Sequence, residues 1–348
     1  VLSTINHRTS AEGGVQGDWQ LVIDASEAVD IAADVGAGAS VFVDSGGPLT
    51  ISGNVLSNTI GGVINSSIYI TNNGAGAPTT ISGNLTALGT GGSYTETRVV
   101  TNGPTTISGN LDANNNVFVR NYGTGAGNHT TISGDIAAGQ VVTVLNGLSP
   151  ANNPLAISGN ITAADNVAID NLGASAGNTT TISGSVTSTG GNVYVTHYGL
   201  PTGMLTVSGS LNAFYDVTMF SDGHAQLGGV GIFAGDDIFA TVQGTSLMVD
   251  GPWTAGDYLN ITSPLALAKL NPAGVLTAPT IGLEGAIVSR SQLLIALSLF
   301  LIGAMFFAAS YHFVVFVLTR NSGEVLWFGL FAALLGIRTA LIEPIAPF

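Results

Sequence analysis

Thr130-Thr131-Ile132-Ser133-Gly134-Asp135-Ile136 decides the fold, because close copies of this stretch recur along most of the chain. They stand at Leu49 to Val55, Thr79 to Leu85, Thr105 to Leu111, Leu155 to Ile161, Thr180 to Val186 and Leu205 to Leu211. The motif glycines are Gly53, Gly83, Gly109, Gly134, Gly159, Gly184 and Gly209, in steps of 30, 26, 25, 25, 25 and 25 residues. A degenerate copy is expected around Gly235 and an earlier one at Leu21-Val22-Ile23-Asp24. Repetition at a fixed period of this size is the mark of a stacked architecture, in which each repeat buries its apolar face only against its neighbours.

Between the copies lies a second series: Ile68 to Asn72, Val117 to Asn121, Val142 to Asn146, Val167 to Asn171 and Val193 to His197. Both series alternate apolar and polar residues with period two, as strands do. Ile132, Gly134 and Ile136 should point inward, with Ser133 and Asp135 outward. Two strands per repeat, separated by glycine-rich turns such as Gly123 to Asn128, predict an all-β parallel solenoid with coils of about 25 residues. Each strand would pair with its copy one coil away, at about 4.8 Å, so nine or ten coils would make a rod of roughly 45 Å. Ile51, Ile81, Ile107, Ile132, Ile157 and Ile182 then form an interior column, and Asn72, Asn102, Asn121, Asn146 and Asn171 a structural asparagine ladder.

The repeats are expected over residues 19–260, after an N-terminal cap at 1–18 and before a last coil and linker at 261–290. Such caps are what a solenoid end requires. Residues 291–348 are a different material. Gln292 to Thr319 carries no formal charge, and Val325 to Ile342 is interrupted only by Arg338. About 20 apolar residues span a bilayer, so two transmembrane helices are expected at about 292–319 and 325–342, joined by Arg320 to Glu324. The solenoid then lies outside the cytoplasm, and the lipid bilayer is a partner.

Composition narrows the function classes. The 348 residues are only 8% charged, with 48 glycines, no cysteine and a net charge of −14. Residues 1–288 hold 19 acids against Arg8, Arg98, Arg120 and Lys269, a balance of −15. Phosphate contacts need Lys and Arg, so nucleic acid is excluded as a partner. Without cysteine there is no disulfide, thiolate–metal or Cys-nucleophile chemistry. The chain opens at Val1 with neither a basic nor an apolar leader, so any signal peptide is expected to precede it or to have been removed.

Few side chains suggest a site. Asp216, Asp222, Asp236 and Asp237, with His224, form the densest acidic group, but no Lys or Arg stands near them in sequence to lower a carboxylate pKa. Catalysis is not expected, nor any cofactor. Asp236 and Asp237 are the only candidates for an opportunistic Ca²⁺, because Gly228-Gly229-Val230-Gly231-Ile232 has Ile232 where a calcium-binding nonapeptide needs Asp. Tyr94, Tyr122, Tyr194, Tyr198 and Tyr215 are candidates for an aromatic sugar-binding strip.

The tail carries a resemblance. Tyr311-His312-Phe313, the Arg320 turn, Leu326 to Phe331 and Leu335-Gly336-Ile337-Arg338-Thr339 resemble the start of the membrane region of bacterial seven-transmembrane receptors with diverse intracellular signalling modules. The resemblance covers about 50 of 348 residues. It implies a bacterial membrane location, an extracytoplasmic sensor, further transmembrane helices beyond these two, and a signature role for Tyr311, His312, Arg320 and Arg338. The chain departs from the family in having a solenoid where members have a jelly-roll sensor, and in holding two helices. The repeats themselves resemble haemagglutinin or autotransporter-type solenoids. The expected function is therefore the sensor of a truncated receptor for a glycan or other envelope ligand. The alternatives are an anchored structural or adhesive surface rod and, behind it, a polysaccharide-active enzyme.

Overall fold

Short alternating strands, each ended by a glycine or asparagine corner, wind the chain into coils. The computed structural model describes residues 4–8, 20–58, 66–89, 95–125, 127–147, 153–175, 177–200, 202–244, 246–263 and 268–270. The chain divides into two compact units, Val1–Ile281 and Gly282–Phe348, and every described residue belongs to the first. The expected membrane helices at 292–319 and 325–342, with Tyr311, His312, Arg320 and Arg338, lie outside the described residues. Among the described residues, no helix is long and apolar enough to cross a membrane.

The fold is an all-β parallel solenoid, with three strands per coil rather than the two expected. The repeated heptad is not one strand. Thr130–Ile132 and Ile136–Ala138 belong to different sheets, and the chain bends between them at Ser133-Gly134-Asp135. The bend is held from the coil below, where the Ile107 carbonyl accepts the N–H groups of both Ser133 (2.8 Å) and Gly134 (3.4 Å). Period two survives the corner, so Ile132, Gly134 and Ile136 are buried while Ser133 and Asp135 are exposed, as the alternation predicts.

The described strands form three sheets, of twelve, eleven and ten strands. The twelve-strand sheet runs from Thr4–Arg8 and Gln20–Ala25 through Asn116–Asn121 and Val142–Asn146 to Tyr258–Thr262. The eleven-strand sheet carries the first half of each heptad and the ten-strand sheet the second half. Pairing is parallel throughout except that Thr4–Arg8 lies antiparallel on Gln20–Ala25, covering the leading edge of the longest sheet. An exposed edge is a template for unwanted strand addition, so a covering strand protects it.

The isoleucine column is continuous: Ile51, Ile81, Ile107, Ile132, Ile157 and Ile182 stand in register, each at most 1% exposed. Two outlying copies need correction. The earliest coil's heptad is Val29 to Val35, with Ile31 opposite Ile51 and Val35 opposite Val55, whereas Leu21 to Asp24 lies on the twelve-strand sheet. After Gly209 the corresponding corner is Gly228 to Gly231, with Leu227 opposite Val207 and Gly231 opposite Ser210. It holds one residue more than the others and turns through positive φ at Gly229 (99°). Gly235 lies at the following corner.

The asparagine ladder is real and interior. Asn72, Asn121, Asn146 and Asn171 are each 0% exposed at the end of their strands. Asn102 does not belong to it: register places Thr101 between Asn72 and Asn121, and Asn102 is one residue past the column. Thr101 keeps the site polar by pairing its hydroxyl with Thr105 at 2.6 Å. A second buried column, seven residues on, consists of Asn128, Asn153 and Asn178. Asn146 Nδ2 donates to the Asn153 carbonyl (2.7 Å) and to Asn171 Oδ1 (3.2 Å), while its Oδ1 accepts from Thr130 Oγ1 (2.7 Å). An exposed ladder climbs the corner between the two shorter sheets. There each side-chain oxygen of Asp34, Asn54, Asn84, Asn110, Asp135 and Asn160 accepts the N–H one coil above, at 2.7–3.0 Å.

His197 occupies the next place in the interior column, opposite Asn171, and is 0% exposed. Nδ1 lies 2.9 Å from Thr180 Oγ1, and Nε2 is buried without a partner. Burial lowers its pKa from 6.5 to about 4, because a charged imidazolium would lie in a dry interior. Between these values the unfolded chain binds the proton and the folded chain does not, so stability is full above about pH 6.5 and falls as the pH drops towards 4. The expected loss is on the order of 3 kcal/mol at about 1.4 kcal/mol per pH unit. In denaturant titrations at pH 7 and pH 4, His197→Asn should show a loss smaller by this amount; equal losses would remove His197 from the account.

Candidate functional site

The outer face of the twelve-strand sheet is where this solenoid departs most from plain polar repetition. Its central column stands three residues before the interior ladder position on each strand. Phe42, Tyr69, Arg98 and Phe118 follow one another in register, on Val41–Ser45, Ile68–Asn72, Glu96–Thr101 and Asn116–Asn121. Because strands alternate, placing Ile70, Val99 and Val119 inside places these four outside, each half-buried.

The four form a continuous stack. Phe42 and Tyr69 lie face to face at 4.9 Å with an interplanar angle of 7°. Arg98 Cζ sits 5.9 Å from the Tyr69 ring centre and 5.2 Å from that of Phe118. Arg120, one alternate position along the same strand, lies 5.2 Å from the Phe118 ring. These are cation–π distances. Glu96 pairs with Arg98 at 3.1 Å, but no carboxylate lies within 4.0 Å of Arg120 among the described residues. The Nε atoms of both arginines are buried without a hydrogen-bond partner. From residue 20 to residue 263 these two are the only Lys or Arg side chains, while Arg8 and Lys269 belong to the first and last described strands.

Beyond Phe118 the same column continues through Thr143 and Ala168 to Tyr194, then Thr218 and Phe239. Two aromatic platforms are thus separated by a floor of two small side chains. Three strand steps from Phe118 to Tyr194 amount to about 14 Å. The second platform is widened by Tyr198 against Phe220 (5.3 Å) and Phe239 against Tyr258 (6.3 Å).

Burial and neighbouring charge shape the face. The Tyr69 phenol is pushed up, first by burial and then by Glu96. Asp44 is raised by burial and by Asp24 in register one coil below. Burial likewise raises Asp170, which stands beside the floor. Each of these groups holds its neutral form to higher pH than usual, because burial disfavours the charged form.

The expected tyrosine strip is brought together only in part. Tyr194 lies on the sheet itself, Tyr198 at the turn after it, and Tyr215 at the corner before Val217–Ser221, where it meets Phe214 edge-on at 4.8 Å. Tyr122 is half-buried in the turn after Asn121, and Tyr94 lies outside the described residues. The residues missed from the sequence were Phe42, Tyr69, Arg98, Phe118 and Arg120. Their signal was positional: Tyr69, Phe118 and Tyr194 all stand three places before a ladder residue.

The acidic group divides between two corners. Asp216 and Asp237 are stacked one coil apart, the Asp237 N–H donating to Asp216 Oδ1 at 3.2 Å, with Asp236 beside them. Asp222 and His224 lie at the opposite end of the strand Val217–Ser221. Burial, then Asp216, raises the Asp237 pKa. Among the described residues no three His, Asp or Glu side chains are grouped to hold a metal ion, Asp236 and Asp237 included. No family model, no curated protein and no solved structure matches this chain.

Proposed function

We propose that this chain is the extracytoplasmic, ligand-binding part of a bacterial membrane receptor, and that it takes its ligand on the outer face of the twelve-strand sheet. The observation that carries this reading is the Phe42–Tyr69–Arg98–Phe118 stack with Arg120. Both arginines of residues 20–263 stand on this one face, among its rings. Tyrosine and arginine are residues that recur at binding hot spots. The resemblance of the tail to seven-transmembrane receptors supplies the membrane anchor and the signalling role. Separation of Asp216, Asp236 and Asp237 from Asp222 and His224 supports binding rather than catalysis.

An adhesive rod is the second reading, and one observation favours it. Among the described residues, nine of the ten exposed large hydrophobic side chains, all but Leu56, lie between Tyr194 and Tyr258, and contiguous exposed apolar surface marks contact sites. Deletion of the gene separates the two. A receptor predicts loss of a ligand-dependent transcriptional response with surface attachment intact. Lost attachment with an unchanged response would replace this reading by the adhesive one.

A further inference from the structure

The geometry points to an extended glycan of mainly neutral sugars with spaced carboxylates, lying along the solenoid axis from Phe118 to Tyr194. This rests on the reading of the twelve-strand face as the ligand face, and it names the chemistry of the ligand. Three features choose it.

The first is direction. Phe42, Tyr69, Phe118, Tyr194 and Phe239 follow one register column, perpendicular to the strands. Rings set in this way present stacking positions at multiples of the strand spacing of about 4.8 Å. That spacing is close to the advance of one pyranose along an extended polysaccharide, so sugars on successive coils stay in step with the protein. A folded protein partner has no such repeat.

The second is the floor. Thr143 and Ala168 keep the surface between the platforms low, with no large side chain in the column to interrupt a chain laid across it. The alternate column beside it reads Arg120, Leu145, Asp170 and Thr196, so Asp170 on the strand of Ala168 and Thr196 on the strand of Tyr194 are able to hydrogen-bond hydroxyls.

The third is charge. Arg120 has no carboxylate within 4.0 Å among the described residues and lies against the first platform, so it is placed to meet an anionic group on a sugar lying beside Phe118. The balance of −15 over residues 1–288 decides against a dense polyanion, which the surrounding field would repel. An isolated carboxylate every few sugars satisfies both conditions.

The test uses the full chain in lipid nanodiscs, titrated with fragments of gellan and hyaluronan and with carboxyl-reduced forms of the same fragments. The native fragments should bind about tenfold more tightly than the reduced ones. Arg120→Gln should bring the native fragments down to the reduced level while leaving the reduced ones unchanged. Thr143→Trp, a change at a half-buried, outward-facing strand position, should block both by filling the floor, as should the double variant Phe118→Ala, Tyr194→Ala. Circular dichroism checks that each variant keeps the solenoid. Equal affinity of the intact protein for native and reduced fragments would overturn the acidic-sugar inference and leave the ligand face standing. Binding that survives both Thr143→Trp and the double variant would overturn the placement along this face. No binding of any fragment would overturn the inference, while the ligand-face reading stands or falls by the gene deletion above.

Discussion

Replacing Gly134 by alanine is expected to lower the unfolding free energy by about 3 kcal/mol, the upper end of the range for overpacking a filled interior. The reason is backbone against backbone. A Cβ on Gly134 would meet the carbonyl of Gly109 well inside 3.0 Å, and the same holds at Gly83, Gly109, Gly159, Gly184 and Gly209 against the glycine one coil below. No side chain is there to swing away. Relief requires the coils to part, which stretches the paired N–H bonds of Ser133 and Gly134 to the Ile107 carbonyl. The column supplies its own control. Ala33 holds the equivalent place in the earliest coil and is exposed, because the described heptad strands begin at that coil. Ala33→Gly should therefore change stability by no more than about 0.5 kcal/mol. Denaturant titration of both variants is the measurement, and a Gly134→Ala protein as stable as its parent would show that coil spacing yields freely.

The second large effect is expected inside the asparagine column. Asn146→Leu keeps the number and branching of side-chain heavy atoms but removes every polar atom, leaving Thr130 Oγ1, the Asn153 carbonyl and Asn171 Oδ1 without this partner in an interior that water does not reach. An unsatisfied buried group costs about 1–3 kcal/mol. With some relief from the remaining asparagines, a loss of about 3 kcal/mol is expected. Asn102→Leu is the contrasting change. Asn102 lies outside the column, and its one side-chain hydrogen bond in the structure is a long exposed contact of 3.5 Å to the Asn73 carbonyl. Its replacement should cost no more than about 0.5 kcal/mol. Similar losses for the two variants would contradict the register that puts Thr101 in the ladder.

Asn102 and Thr101 also mark how far one sequence carries. Where the motif glycines step by 25, equal sequence distance means the same place on the next coil, and Asn121, Asn146 and Asn171 were read correctly. Between Gly53 and Gly109 the steps are 30 and 26, so position no longer follows from counting and only strand pairing assigns Thr101. The acidic group divides for a related reason. Asp216 and Asp222 are close in sequence, yet a five-residue strand lies between them, and a strand of that length carries its ends about 17 Å apart. Asp216 and Asp237, far apart in sequence, are stacked by one turn of the coil.

The sequence by itself determined the parallel solenoid, its interior isoleucine and asparagine columns and its inward-facing glycines. A constant period forces identical residues over one another, and period-two alternation says which of them face in. Tertiary structure alone decided that each heptad bends into two strands at Ser133-Gly134-Asp135, since the bend is set by hydrogen bonds from the coil below. It also decided that Phe42, Tyr69, Arg98, Phe118 and Arg120 form one stack. These residues are of different types and at uneven spacing, and two of them, Phe42 and Arg98, lie outside the second repeated series. Only the pairing of neighbouring strands at about 4.8 Å brings them within contact distance on a single face.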